Sequence, residues 1–316
     1  MPLLCLRGSA LTISFLGPVA MPTLNIHHRT TYTFREKVSL SPHHLMLRPR
    51  EGRELRLLSH EISISPEAEL TWSNDVFGNA IASATFQTPS DSLVVDSMAT
   101  VDLTASAWPV FDIAASAINY PFLYSDNDWT DLGTLTVQQY EDVEQRLATW
   151  ARGFVAGRPT DTLSLLKDIS LGIASSIAYQ SREEEGTQSP LTTLDRGWGS
   201  CRDFALLFVE AVRSLGFGAR IVSGYLFNPD SSLTGSIDSG STHAWAEVFV
   251  PGAGWITFDP TNRSMGGANL IPIAVTRDIA QAVPISGSFM GAADAFLSMD
   301  VTVEVKAVDA VQAARL

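Results

Sequence analysis

The sequence predicts an α+β protein: an antiparallel β-sandwich in the N-terminal part, then a body of mixed helices and strands. Three observations carry this. Residues 23–105 consist of short runs rich in β-branched and aromatic residues, separated by polar turns. From about residue 140, apolar residues recur at helical spacing. Beyond Gly216 and Gly218 the period falls back to two.

The elements follow in order. Residues 24–34 include Ile26, Thr30, Thr31, Tyr32, Thr33 and Phe34 and read as a strand. Leu45-Met46-Leu47 precedes the turn Arg48-Pro49-Arg50. Residues 55–64 alternate at Ile62 and Ile64, and 70–76 lead into a turn, Asp75-Val76-Phe77-Gly78-Asn79. Residues 80–86 and 93–103 complete the strands. Residues 106–136, with Pro109, Pro121 and Gly133, read as a linker. Inside it, Asp126-Asn127-Asp128 begins like a calcium loop. It lacks the glycine at the sixth position and has Val137 where the bidentate glutamate belongs, so it is expected to be a solvated turn.

Residues 140–154 read as an amphipathic helix with Val143, Leu147, Trp150 and Phe154 on one side. A second helix, 161–179, carries Leu163, Leu166, Ile169, Ile173 and Ile177. The polar stretch 181–195 is expected to be a loop. A third helix, 201–215, stops at Gly216 and Gly218. Strands are expected at 219–226, 242–250, 255–258 and, from Val301, Val303 and Val305, at 299–305. The organisation is a leader or misplaced start (1–22), a β-rich domain (23–105), a linker (106–136), a core (137–265) and a C-terminal segment packing on the core (266–316).

Bulk properties narrow the function. Net charge is −13, which excludes a nucleic-acid partner or an anionic membrane surface, since both demand clustered Lys and Arg. No apolar run reaches the about 18 residues of a spanning helix. Two cysteines, Cys5 and Cys201, make no disulfide framework, and a cytoplasmic location is expected. Export is the alternative if residues 1–20 are a signal peptide; a true start at Met21 is the simpler account.

Cys201 lies in Gly197-Trp198-Gly199-Ser200-Cys201-Arg202-Asp203. Ser200 is a good N-cap, and Asp203 three residues later resembles a capping box. Cys201 then falls on the first helical turn, where free N–H groups and the helix dipole favour a thiolate. Phe204, Leu207, Phe208, Ala211, Val212 and Leu215 anchor the helix in the core. Gly197 and Gly199 allow a close backbone approach before the cap. A lone cysteine is more often a small buried hydrophobe, so the thiol needs partners to count.

His243 and Asp259 supply them. Alternation places His243, Trp245, Glu247 and Phe249 on one face of their strand. Residues 250–255 read as a hairpin connection, so Asp259 returns toward His243. A loop of about five residues sets the two directly opposite, and a tighter one offsets them by a few positions. A His243–Asp259 hydrogen bond is predicted, fixing the imidazole tautomer. The other five histidines (His27, His28, His43, His44, His60) lie far away in the chain. The pairs His27-His28 and His43-His44 are expected to be exposed strand or turn residues rather than metal ligands.

These motifs resemble the transglutaminase-like superfamily core: Gly199-Ser-Cys201-Arg-Asp203, Gly216-Phe-Gly-Ala-Arg220, His243-Ala-Trp-Ala-Glu247 and Trp255-Ile-Thr-Phe-Asp259-Pro-Thr261. The flanking chain is similar to bacterial members with a β-rich N-terminal domain, through Tyr32-Thr-Phe34, Leu47-Arg-Pro-Arg50, Trp72-x-x-Asp75-x-Phe-Gly-Asn79 and the stretch from Thr276-Arg-Asp278 to Gly287. The resemblance implies a papain-like α+β core with Cys201 as nucleophile, His243 as base and acid, and Asp259 as orienter. It suggests Trp198 and Trp245 as residues lining the acyl-donor channel. The Cys201 N–H is one oxyanion donor, with Trp198, Tyr179, Gln180 or Gln188 as candidates for the other.

The expected chemistry is acyl transfer through a thioester, on a protein or peptide substrate, with no cofactor and no metal. Water as acceptor makes a peptidase or amidase, and an amine makes a transglutaminase. The alternative is a non-catalytic binding or scaffold module. The β-rich domain shows no chemistry of its own and is expected to shape access or bind a partner protein.

Overall fold

A computed structural model describes residues 22–182, 186–235 and 240–308. The leader expected over 1–22 lies, apart from Pro22, outside the described residues. The chain is α+β, with N-terminal antiparallel β-sheets followed by a mixed core. Strands β1 (Thr23–Leu40), β2 (His43–Leu45), β3 (Leu55–Ser65), β4 (Ala68–Asn74), β5 (Ala80–Phe86) and β6 (Ser90–Leu103) build two sheets. In the first, β6 lies between β1 and β3, with Leu24 opposite Val101 and Thr30 opposite Val95. In the second, β5 lies between β2 and β4. Period-two alternation turns Phe34, Val38, Leu45, Ala82, Leu93 and Val95 inward, and these close the space between the sheets.

The linker region is more ordered than expected. Asp126 starts a short helix, α1 (Asp126–Leu132), capped by the Ser125 hydroxyl, so the Asp-Asn-Asp run is a helix start and not a solvated turn. Tyr120 stacks on Phe217 with centroids 5.4 Å apart, and the Tyr124 hydroxyl donates to Phe249 O at 2.8 Å, tying this stretch to the core.

Helix α2 (Arg146–Arg152) is half the length expected for 140–154. The carboxylate of Asp142 accepts from the N–H groups of Arg146 and Ala148, which ends the helix there. Further back, Gln139 and Tyr140 give their N–H groups to Glu210. Next come α3 (Thr162–Ser176), capped by Asp161, and β7 (Ala178–Tyr179). The supposed loop 181–195 contains a helix, α4 (Pro190–Arg196). Its signal was present in the sequence: Ser189 caps it and Pro190 takes the first turn.

Strand β8 (Trp198–Gly199) pairs in parallel with β7 and leads straight into α5 (Cys201–Ser214). Every residue of α5 from Asp203 to Arg213 is buried, so this is the central helix of the core. Glu210 and Arg213 form a wholly buried ion pair at 2.8 Å, and Arg213 also donates to the carbonyls of Leu135, Ala219 and Arg277. Every charge is thus answered, and removing either partner would cost about 3–5 kcal/mol. Strands β9 (Ala219–Phe227), β10 (Gly240–Val250), β11 (Gly254–Asp259) and β12 (Leu270–Thr276) form an antiparallel sheet, with β9 and β10 central. Helix α5 packs on it through Phe204, Phe208 and Val212 against Ala244, Ala246, Val248 and Phe258.

The segment after 266 is divided. Strand β12 edges the core sheet, whereas β13 (Phe296–Ala307) runs along β1, from Leu24 opposite Ala307 to Phe34 opposite Phe296. The C-terminal segment therefore does not pack on the core alone. The two sheet systems also share side chains: Leu24, Ile26, Val101 and Val305 meet Tyr225, Phe227, Ile271 and Ile273. At a second contact the turn after β4 docks on β12. Asn79, 0% exposed, donates to Val275 O and accepts from Val275 N and Arg50.

The paired histidines are not the exposed pairs expected. Strand alternation sends neighbours to opposite faces, so His28 and His43 are buried beside part-exposed or exposed His27 and His44. His28 bonds Tyr225 and Thr30 through its two ring nitrogens, and His27 meets Asp96. Among the described residues, no helix is long and apolar enough to cross a membrane.

Candidate active site

Local sequence places the sulfur. Ser200 caps α5, and the Asp203 carboxylate returns to the Ser200 N–H at 2.8 Å, completing the capping box. Asp203 is 0% exposed and also takes the Gln188 N–H at 2.6 Å and the Arg182 guanidinium at 3.1 Å. The approach requires Gly199, because a Cβ there would sit 2.9 Å from Asp203 Cβ. Cys201 thus starts a helix whose first turn is tied down through Asp203, and it remains partly exposed.

The hairpin places the other two groups. Val250 faces Gly254 and Ala246 faces Phe258, so the loop is the tight form, with residues 251–253 outside the ladder. That register offsets Asp259 diagonally from His243 by two positions, still on one face. His243 Nε2 lies 2.9 Å from Asp259 Oδ2, as the sequence predicted. The Asp259 carboxylate also accepts from Thr261 N at 3.0 Å, Asn262 N at 3.3 Å and Asn262 Nδ2 at 2.8 Å. Acceptor-only Asp259 makes Nε2 the protonated nitrogen and leaves Nδ1 as the basic one. Nδ1 is buried and has no hydrogen-bond partner of standard geometry.

Helix start and strand meet here. Cys201 and His243 favour each other's charged forms, and the Ala244 backbone also favours the thiolate. Burial pushes the Cys201 thiol up, but His243, the Ala244 backbone and Arg202 outweigh it and hold the thiol below its ordinary value. Burial pushes His243 down, yet Asp259 and Cys201 together raise it above the ordinary imidazole value. Burial also opposes ionised Asp259, but His243 and Asn262 hold its carboxyl below the usual range. The three shifts agree: a thiolate, an imidazolium and a carboxylate stabilise one another.

The two tryptophans part company. Trp245 is 1% exposed and sits among Val222, Leu226, Leu270 and Val275. It is stacked with His243 at 6.1 Å between centroids. It therefore presents no surface to a substrate channel, and its position is that of a support for the imidazole. Trp198 is part-exposed beside Cys201, with the Arg196 guanidinium 5.3 Å above its ring. Of the oxyanion candidates, Gln188 spends its amide on Trp198 O and Asp203. Gln180 is exposed.

Asn262 was not singled out in the sequence, although its place three residues after Asp259 is an Asx-turn signal. Its Oδ1 accepts from Thr234 N at 2.7 Å, so one side chain joins the 228–235 loop to the carboxylate that holds His243. Among the described residues, no cluster of three or more His, Cys, Asp or Glu is arranged to hold a metal ion.

Known proteins give this geometry its context. Residues 24–102 match the bacterial transglutaminase-like N-terminal region, and residues 148–260 match the transglutaminase-like superfamily. An uncharacterized protein of Mycobacterium tuberculosis is 27% identical over 276 residues, covering 83% of this chain and 86% of its own. One from Mycobacterium leprae is 25% identical, covering 89% of this chain and 98% of its own. Among solved structures, a Cytophaga hutchinsonii protein described as a candidate cysteine protease superposes with a TM-score of 0.69 at 22% identity, covering 92% of each chain. That likeness is one of fold. Both parts of the chain therefore find their counterparts, in the same order: it belongs to the transglutaminase-like superfamily, with a bacterial transglutaminase-like N-terminal region ahead of the core.

Proposed function

We propose that this protein is a cysteine-dependent acyl-transfer enzyme acting on the carbonyl of a peptide or carboxamide, with Cys201 as nucleophile, His243 as general acid and base, and Asp259 as orienter. The observation that carries the reading is the His243–Asp259 bond at 2.9 Å beside a thiol that starts a buried helix. A structural cysteine gains nothing from a buried imidazole whose far nitrogen is fixed by a carboxylate. A nucleophile needs that arrangement.

The steps follow from the charges. The Cys201 thiolate adds to the carbonyl carbon, and the C=O pair moves onto oxygen. The Cys201 N–H, free at the first turn of α5, donates to that oxyanion. As the C–N bond breaks, imidazolium His243 gives its proton to the leaving amine, and a thioester remains. Neutral His243 then takes a proton from the incoming water or amine, whose attack on the thioester carbonyl releases the thiolate. Asp259 stays ionised throughout and keeps the proton on Nε2. The acceptor, water or amine, decides between hydrolysis and crosslinking. This chemistry needs no cofactor. A cytoplasmic setting, which keeps thiols reduced, suits it.

The test is a mass-spectrometric search for an acyl adduct on Cys201 after exposure to a peptide library, alongside Cys201→Ala. The reading expects an adduct that hydroxylamine removes and that the variant never forms. Turnover by folded Cys201→Ala overturns it. The competing reading, a binding module, expects Cys201 to alkylate with iodoacetamide no faster than a free cysteine.

A further inference from the structure

Acyl transfer at Cys201 leaves one role unfilled: the second donor for the oxyanion. We propose that the Tyr179 hydroxyl is that donor, acting with the Cys201 N–H on the oxygen of the tetrahedral adduct. This rests on the acyl-transfer reading of the same site.

Backbone pairing puts Tyr179 there. Strand β7 runs parallel to β8, with Tyr179 opposite Gly199, two residues before Cys201. Ala178 N donates to Gly197 O at 2.8 Å and Gln180 N to Gly199 O at 2.9 Å, which clamps the strand on both sides of Tyr179. The ring is then held edge-on by Phe204, on the first turn of α5, at 6.2 Å and 82°. Alternation turns Gln180 the other way, into solvent.

The hydroxyl borders the same small space as the catalytic base. A side-chain carbon on Gly235 would lie 3.3 Å from Tyr179 Oη and 3.6 Å from His243 Nδ1. Tyr179 also feels the charge of both Cys201 and Asp259. Burial first, and then those two negative charges, push its phenol up to about 12, with Arg202 opposing. It therefore keeps its proton at neutral pH and can only help an anion by donating. Tyr179 makes no hydrogen bond to another described residue that would occupy that proton. Two rivals are out of play: Gln188 spends its amide on Trp198 O and Asp203, and Gln180 is turned into solvent.

Two reactions of one sulfur separate the role. Acylation by p-nitrophenyl acetate forms an S–C bond, passes through an oxyanion and expels p-nitrophenolate. Alkylation by iodoacetamide displaces iodide and forms no oxyanion. Both rates are read on the full chain, at Cys201, by mass spectrometry. Tyr179→Phe keeps the ring and its contact with Phe204, so alkylation doubles as the check that the site is intact. The proposal expects acylation to slow by tenfold or more, within the range for loss of one oxyanion donor, while the alkylation rate and its pH profile stay within about twofold. Equal acylation by wild type and variant overturns it. So does a parallel fall in both reactions, which would make Tyr179 a support for the thiolate instead. A wild-type Cys201 that alkylates no faster than a free thiol overturns the acyl-transfer reading and this inference together. Fast alkylation with unchanged acylation in Tyr179→Phe overturns this inference alone.

Discussion

The side chain of Asn79 pairs with the backbone of Val275 as a neighbouring strand would, donating at 2.8 Å and accepting at 2.9 Å. Val275 in turn faces Val222, and Val222 faces Trp245, so one row of the core sheet runs from the N-terminal turn to the ring stacked with His243. Phe77 packs into the same cluster. The β-rich part is thus built into the support of the imidazole.

Asn79→Ala leaves the buried C=O and N–H of Val275 without their side-chain partner. A loss of about 2–4 kcal/mol is expected, at about 1–3 kcal/mol for each buried group left unpaired. Urea unfolding followed by tryptophan fluorescence measures it. A change under 0.5 kcal/mol, roughly the scale of an ordinary surface substitution, would show that water replaces the amide and that the docking is incidental.

Asp259→Asn and Asn262→Ala should differ in kind. The first removes the charge that fixes the His243 tautomer, and a loss on the order of 10³-fold or more in acylation is expected. The second leaves the charge but removes one donor to Asp259 and the tether to Thr234. A loss of about tenfold is expected, the equivalent of one hydrogen bond to a charged group. Single-turnover acylation rates compare them; equal losses would mean that Asp259 works only as part of a turn.

The pH profile follows from opposed shifts. The thiol is held below its ordinary value and the imidazole above its own, so the ion pair fills the window between them. Cys201 alkylation should already be fast below the normal thiol range. The paired state should give way only once His243 loses its proton, above the ordinary imidazole range. In His243→Ala the rate should instead climb only through the normal thiol range. Identical profiles for the two proteins would remove the pair. For stability the same signs hold. Raised His243 stabilises below its unfolded pKa, and that contribution is lost as pH rises through its folded value. Lowered Asp259 stabilises above its unfolded pKa, and that contribution is lost as pH falls through its folded value.

His28 makes the fold acid-sensitive. Burial first, and then the charge of His27, lower it to about 4, with Asp96 opposing. A buried histidine with a depressed pKa is neutral when folded and protonates first in the unfolded chain. Stability is therefore expected to fall from pH 6.5 down to about 4, by roughly 3 kcal/mol for the full shift. His28→Gln should flatten that part of the urea-midpoint profile. An unchanged slope would assign the acid sensitivity to another group.

Some of this was legible in the chain because its causes are local. Ser200 and Asp203 announce the start of α5 within four residues, and the Asp259 hairpin needs only a turn and alternation. Helix α4 was legible too, through Ser189-Pro190, but the polar run around it hid the signal. The shortened α2 was not legible, because its missing turn is lost to the carboxylates of Asp142 and Glu210, the second of which is 70 residues away along the chain.

By itself the sequence determined the residue types, the order and the local geometry of the reactive groups: a thiol at a capped helix start, and a histidine and an aspartate on adjoining strands. Those choices depend on neighbours a few positions away, and dihedral preference, capping and alternation act over that range. Only the tertiary structure decided that Trp245 supports the ring and lines no channel. It alone paired the last strand with β1 and brought Tyr179, Gly235 and His243 around one space. Such outcomes depend on which distant surfaces bury one another, and nothing in a local pattern encodes that choice.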